Sequence, residues 1–178
     1  MLEDGSVYEG TARGDFKETA CEIVFNTSMT GYVEILTDPS YAGQGVVMTY
    51  PMIGNYGISR EDFESERLQP SAFIVHELSS DPSNFRCTDT IENLLKEYNI
   101  PCISGVDTRA VVKKLRESGT MRGVLTSDIG DRERLMDVIK SFRQIDLVGS
   151  VTAKQTKVYG EENTGAEIAL MDFGTKRN

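Results

Sequence analysis

The chain has 178 residues, 39% apolar and 26% charged, the make-up of an ordinary globular protein with room for one domain and an appendage. Its 28 acidic residues against 19 basic ones leave a net charge of −9, which argues against a nucleic-acid surface, since that needs clustered positive charge. No apolar run nears the ~20 residues of a membrane helix, and the opening MLEDGS lacks the basic and apolar regions of a signal peptide. Cys21, Cys87 and Cys102 are odd in number and far apart; they read as reduced thiols of a cytoplasmic protein, with neither a disulfide nor a metal role.

Residues 2–50 read as β. A turn at Asp4-Gly5 precedes a short run around Val7 and Tyr8. Ile23-Val24-Phe25 points to a strand buried on both faces. Residues 24–57 then hold no Lys or Arg, and only Glu34 and Asp38 as acids. This stretch reads as strand, structured loop, strand, with apolar runs at Ile35-Leu36 and Val46-Val47-Met48 and a loop shaped for contact. Asp38-Pro39-Ser40 is a turn, because Pro39 fixes its own φ and keeps Asp38 out of the helical region. Residues 58–70 are charged and without period, an exposed loop or a single helical turn.

From residue 71 strands and helices alternate. AFIVHEL (72–78) is an apolar strand. Thr88 or Asp89 caps a helix carrying Ile91, Leu94, Leu95 and Tyr98 on one face. CISGV is a short strand. Asp107 or Thr108 caps a second helix, with Ala110, Val111 and Leu115 inward and Gly119 at its end. MRGVLTS is a strand, and RERLMDVIKSF is a third helix with Leu135, Val138, Ile139 and Phe142 inward. About six or seven strands and three helices, β-rich first and α/β later, make an α/β (α+β) domain in layers. Residues 151–166 are polar and aperiodic, a linker. Residues 167–173 read as a strand buried on both faces, because Ile168 to Met171 are all apolar.

The chemistry is limited by what is missing. Acyl transfer by a cysteine or serine needs a base and an orienting acid, yet His76 is the only imidazole and lies in the middle of an apolar strand. No cysteine has the flanking glycines of a nucleophile elbow. No metal-ligand spacing and no phosphate-binding Gly-rich motif occurs, and the DFG at 172–174 stands without other kinase signatures. Glu34 and Asp38 read as a surface acid and a turn cap. Ser40 reads first as a turn-capping hydroxyl. The Tyr50 to Gly57 turn and Asn84 to Arg86 read as folded loops or as contact surface.

LEDGSVYEG at 2–10, FNTSMTGYVEILTDPSYAGQ at 25–44, TYPMIGNYG at 49–57, PSNFR at 82–86, GVDTRAVVKKLRESG at 105–119 and MDFGTKRN at 171–178 resemble the N-terminal domain of the small, glutamine-handling subunit of carbamoyl phosphate synthetase. Val33 and Gly45 depart from the usual pattern. The resemblance implies a three-layer β/β/α domain over 1–150, a linker at 151–166, and at 167–178 the first strand of a class I glutamine amidotransferase domain, so that the chain is expected to be part of a longer protein. It implies a ligase of the amidotransferase kind that makes carbamoyl phosphate from glutamine, bicarbonate and two ATP, serving arginine and pyrimidine biosynthesis. In that setting this part is non-catalytic and inactive alone. It docks the large subunit, which carries ATP and Mg, and it needs no cofactor of its own. Ser40 of the Asp38-Pro39-Ser40-Tyr41 turn is implied to contact L-glutamine. The alternatives are a scaffold domain without ligand and a free-standing hydrolase using Cys21 or Ser40.

Overall fold

In the computed structural model, residues 1–143, 146–160, 165 and 168–177 are described. Along the chain run β1 (Thr11–Arg13), β2 (Thr19–Asn26), α1 (Tyr32–Thr37), β3 (Gln44–Met48), β4 (Met52–Ile53), β5 (Ala72–Ile74), β6 (Glu77–Leu78), α2 (Ile91–Glu97), β7 (Cys102–Ser104), α3 (Thr108–Ser118), β8 (Met121–Leu125), α4 (Arg132–Ser141) and α5 (Leu147–Val151). Single 3-10 turns sit at Pro39–Tyr41 and Arg60–Asp62.

Six strands form one mixed sheet in the order β1-β7-β5-β3-β2-β8, and β4 pairs with β6 in a second, two-stranded sheet. The four central strands are mutually parallel, and the two edge strands are antiparallel to their neighbours. Parallel strands need cover on both faces, and the burial pattern meets that need. Val46, Met48, Phe73 and Cys102 pack on one side with residues of α1 and α2, with Ile53 of β4, and with Phe63 and Leu68. Val47, Ala72, Ile74, Cys21 and Ile23 pack on the other with Val111, Val112 and Leu115 of α3. Successive strand residues point to opposite faces, so one short sheet serves two apolar layers. α4 adds a third, smaller cluster, Leu135 and Ile139 against Val124. This is the mixed α/β layering that the sequence points to, with three helices of seven residues or more.

Gly45, one of the two departures from the resembled pattern, has a packing reason. A Cβ there would stand 2.7 Å from Cys21 Sγ and 2.8 Å from Ile23 Cδ1 on the neighbouring strand. The missing side chain is what lets β2 fill that space.

Several expectations need correction. Residues around Ile35-Leu36 form a helix, α1, where the β-branched Val33, Ile35 and Thr37 suggest extended chain. Five of its six residues are buried, so tertiary packing overrides local preference. The strand expected at Val7 and Tyr8 is absent; Leu2 makes an isolated bridge to Gly123, and the edge strand lies later, at β1. AFIVHEL is not one strand: β5 ends at Ile74, β6 begins at Glu77, and the exposed His76 sits at the break. α2 is capped by Thr90, whose hydroxyl accepts from the Asn93 amide at 3.2 Å. The charged loop after Ile58 is not simply exposed, since Phe63 and Leu68 reach the core. α5 was not foreseen, and it carries the chain past residue 150. Residues 168–173 form no strand. A strand needs a neighbour along its length to take up its N–H and C=O groups; here the Asp172 carbonyl accepts from the Ala153 amide at 3.1 Å, but no strand runs alongside among the described residues, and Ile168, Leu170 and Met171 stay exposed. Glu167 and residues 161–164 and 166 of the linker lie outside the described residues.

Candidate functional site

The site is built on the turn after α1. Asp38 has extended backbone, Pro39 sits at the first position of the 3-10 turn, where its missing N–H costs nothing, and the Asp38 carboxylate caps it by accepting from the Ser40 amide at 2.8 Å. Tyr41 N donates to Asp38 O at 3.0 Å and Ala42 N to Pro39 O at 3.1 Å. Pro39 is buried and Ser40 is exposed. The backbone of the loop is therefore set from below, while the serine side chain faces outward.

Asp38 itself is 7% exposed. Its second oxygen, Oδ2, lies 2.8 Å from Lys176 Nζ. Burial pushes this carboxyl up, but Lys176 and the Ser40 amide and hydroxyl outweigh burial and hold it below its ordinary value. Beside the turn lies a cleft of about 320 Å³, lined among others by Asn26, Thr30, Glu34, Asp38, Tyr41 and Lys176. Asn26 Nδ2 donates to the Tyr41 hydroxyl at 2.9 Å, which ties the end of β2 to the turn. The cleft offers amide, hydroxyl, carboxylate and ammonium groups, of which Asp38 and Lys176 are paired with each other.

The other residues singled out in the sequence go elsewhere. Tyr56 stacks on Tyr32 with ring centroids 4.1 Å apart, and its hydroxyl accepts from the Gly31 amide at 2.6 Å and the Tyr32 amide at 3.2 Å. The Tyr32 hydroxyl donates to Gly57 O at 2.9 Å. The Tyr50 to Gly57 turn thus clamps the start of α1. Arg86 pairs with Glu61 at 3.1 Å and Asp62 at 2.7 Å, so Asn84 to Arg86 fastens a loop, while Phe85 between them is 97% exposed. His76 donates from Nδ1 to the Val106 carbonyl at 3.1 Å. Cys21 and Cys102 are fully buried, and burial pushes both thiols up to about 12. Neither His76 nor any cysteine lines the cleft. A wider cleft of about 400 Å³ between Glu3, Glu22, Arg122 and Arg143 holds none of the residues the sequence singles out for chemistry, and Arg122 in it is already paired with Glu3 at 3.0 Å; Phe142, expected to face inward, lines this cleft half-buried.

The sequence points to Ser40, which sits on the turn beside the cleft and is not one of its lining residues; Asp38, read from the sequence as a turn cap, lines it together with Tyr41 and with Lys176, which the sequence does not single out. The run MDFGTKRN shows a lysine, yet nothing local says that it folds back onto Asp38. Among the described residues no three His, Cys, Asp or Glu are grouped to hold a metal ion, and no helix is long and apolar enough to cross a membrane.

Residues 1–125 match the family described as carbamoyl-phosphate synthase small chain, CPSase domain. The chain is similar to the carbamoyl phosphate synthase small chain of Clostridium perfringens, 46% identical over 179 residues that cover 100% of this chain and 50% of that one. Against that of Caldanaerobacter subterraneus it is 47% identical over 176 residues, 99% of this chain and 47% of the other. Against that of Archaeoglobus fulgidus it is 48% identical over 180 residues, 98% and 49% of the two. The chain thus spans about half the length of the curated relatives it matches. With a family match over more than half of its residues and such identity along nearly all of them, the chain belongs to the carbamoyl-phosphate synthase small chain family.

Proposed function

We propose that this chain is the N-terminal, non-catalytic part of the small subunit of a glutamine-hydrolysing carbamoyl phosphate synthase. In this reading the complete protein is a cytoplasmic amidotransferase-ligase. It takes ammonia from L-glutamine and passes it to a large subunit that uses bicarbonate and two ATP with Mg, feeding arginine and pyrimidine biosynthesis. The present domain docks on that large subunit and on the glutaminase domain of its own protein. Ser40 is its contribution to the glutamine site.

The observation that carries the reading is the likeness to small chains along nearly the whole sequence. The geometry supports the serine role. A hydroxyl both donates and accepts, so it serves the α-amino or the α-carboxylate end of an amino acid. Because the turn is already ordered by Pro39 and Asp38, binding there freezes little more of the chain. A free-standing hydrolase is the weaker reading: the thiols of Cys21 and Cys102 are buried and protonated, and no imidazole lines the cleft.

Ser40→Ala in the complete subunit tests the proposal. Losing a hydrogen bond to a charged ligand group costs roughly 1.5–3 kcal/mol, so KM for glutamine rises roughly ten- to a hundredfold with a modest loss of turnover. An unchanged KM would leave Ser40 as a turn residue in a scaffold domain.

A further inference from the structure

We propose that Lys176 is a positioning residue for Ser40: it pins the Asp38 carboxylate, and through that cap it fixes the pose of the serine turn. This rests on the reading of Ser40 as a glutamine contact and adds to it a residue far away in the chain.

Three observations place Lys176 there by geometry. First, the Asp38 side chain is only 11% accessible, against 49% for Lys176, and its two oxygens have different tasks. Oδ1 accepts from the Ser40 amide, and Oδ2 meets Lys176 Nζ at 2.8 Å. Remove the ammonium and a mostly buried anion is left with its Ser40 contacts alone, a state that favours protonation or rotation of the carboxyl. Either change loosens the bond that holds Ser40.

Second, the backbone after Lys176 is anchored beside Asp38, and the backbone before it is closed into a turn of its own. The Arg177 amide donates to Glu64 O at 3.0 Å, and the Glu64 amide donates to the Thr37 hydroxyl at 2.9 Å, directly before Asp38. On the other side, the Gly174 and Thr175 amides donate to Asp172 Oδ1 at 2.9 and 2.7 Å, closing a tight turn.

Third, that turn is pressed against the loop. Gly174 has φ +107°, and a Cβ on it would stand 2.8 Å from Val151 Cγ2 and 3.2 Å from Pro39 Cβ. Positive φ and close approach both require glycine there. The tail therefore touches Pro39, Asp38 and the Glu64 backbone at once, which is how a latch over the serine turn is built.

The test uses the complete subunit with Lys176→Met, which keeps the length of the side chain and removes its charge. KM for glutamine should rise about three- to fivefold, in line with the strength of a partly exposed ion pair, with turnover little changed. The Ser40 amide should exchange faster with solvent, and the Asp38 carboxyl, followed by NMR, should titrate at higher pH. Lys176→Arg should restore all three. Lys157→Met removes the tail's other ion pair, to Glu66 at 2.6 Å, and should move none of them. An Asp38 titration and Ser40 exchange identical to the parent's in Lys176→Met would overturn the latch. A shift in both with no change in KM, while Ser40→Ala does raise KM, would overturn the link from latch to ligand. If Ser40→Ala leaves KM unchanged and Lys176→Met still shifts Asp38 and Ser40, the latch stands and the glutamine reading fails.

Discussion

Glu18 shows at the scale of single residues how a surface contact becomes a pH dependence. Arg134 reaches it with both prongs, Nη1 to Oε1 and Nη2 to Oε2, each at 2.8 Å, and the Thr126 hydroxyl donates to it at 2.8 Å. Arg134 first and Thr126 second hold this carboxyl down, from 4.5 to about 2. A folded-state pKa below the unfolded one stabilises the fold above the unfolded value, and that gain fades as pH falls from 4.5 towards 2. Both side chains are more than a third exposed, so water and salt screen the pair. Glu18→Gln should cost less than about 1 kcal/mol at neutral pH, and less still at high salt. The gap between the two proteins in urea midpoint should close as pH drops through that window. A gap that stays constant with pH would show that shape, not charge, is what Glu18 supplies. The contacts of the serine turn divide in the same way between what a sequence shows and what it hides. Asp38-Pro39-Ser40 is legible because its cap acts over two residues, within the reach of local rules. Lys176 and Glu18 are not, because their partners come from distant parts of the chain and any Lys or Glu on a polar stretch looks alike before folding.

At the scale of elements, α3 is the helix for which every local signal agrees. Asp107 accepts from the Ala110 amide at 2.9 Å, Val111, Val112 and Leu115 face the sheet, and Gly119 takes φ +80° just after the last turn. Asp107→Ala should lower stability by about 1 kcal/mol, as loss of a cap does, while Asp107→Asn should keep most of it. Chemical denaturation reads both, and equal midpoints for Ala and parent would mean the cap carries no weight. The contrast with α1 explains which elements were readable. A helix with a wet face shows its 3.6-residue period, whereas α1 is six residues long with nearly every side chain buried, so its one unburied residue, Glu34, marks no period. Its helical state comes from outside: the Tyr56 hydroxyl takes its first amides, and the Tyr32 hydroxyl is fixed on Gly57. Likewise the break between β5 and β6 is invisible in the continuous apolar run AFIV, because β5 ends with its last register partner, Ile103 of β7, a partner more than twenty residues away in the chain.

At the scale of the whole molecule, one sheet divides the interior into two large apolar layers, and each layer holds one buried thiol. Cys21 on β2 lies in the layer under α3, and Cys102 on β7 lies in the layer under α1 and α2. β3 and β5 stand between them in the sheet. Both thiols are fully buried and pushed up to about 12, so neither reacts until the structure around it opens and the thiolate can form. Cys87, partly exposed, needs no such opening. Because neighbouring strands alternate their side chains between the two layers, opening one layer exposes the strands that floor the other. The layers should therefore open together. Native-state alkylation should label Cys87 first. Cys21 and Cys102 should follow at matching free energies of opening, with the same dependence on denaturant, equal to that of global unfolding. In full denaturant all three thiols should react, with or without prior reductant, since the three cysteines are free. If Cys21 instead opened at clearly lower free energy than Cys102, α3 and its layer would be a separate unit, and the sheet would be a partition between two partly independent cores.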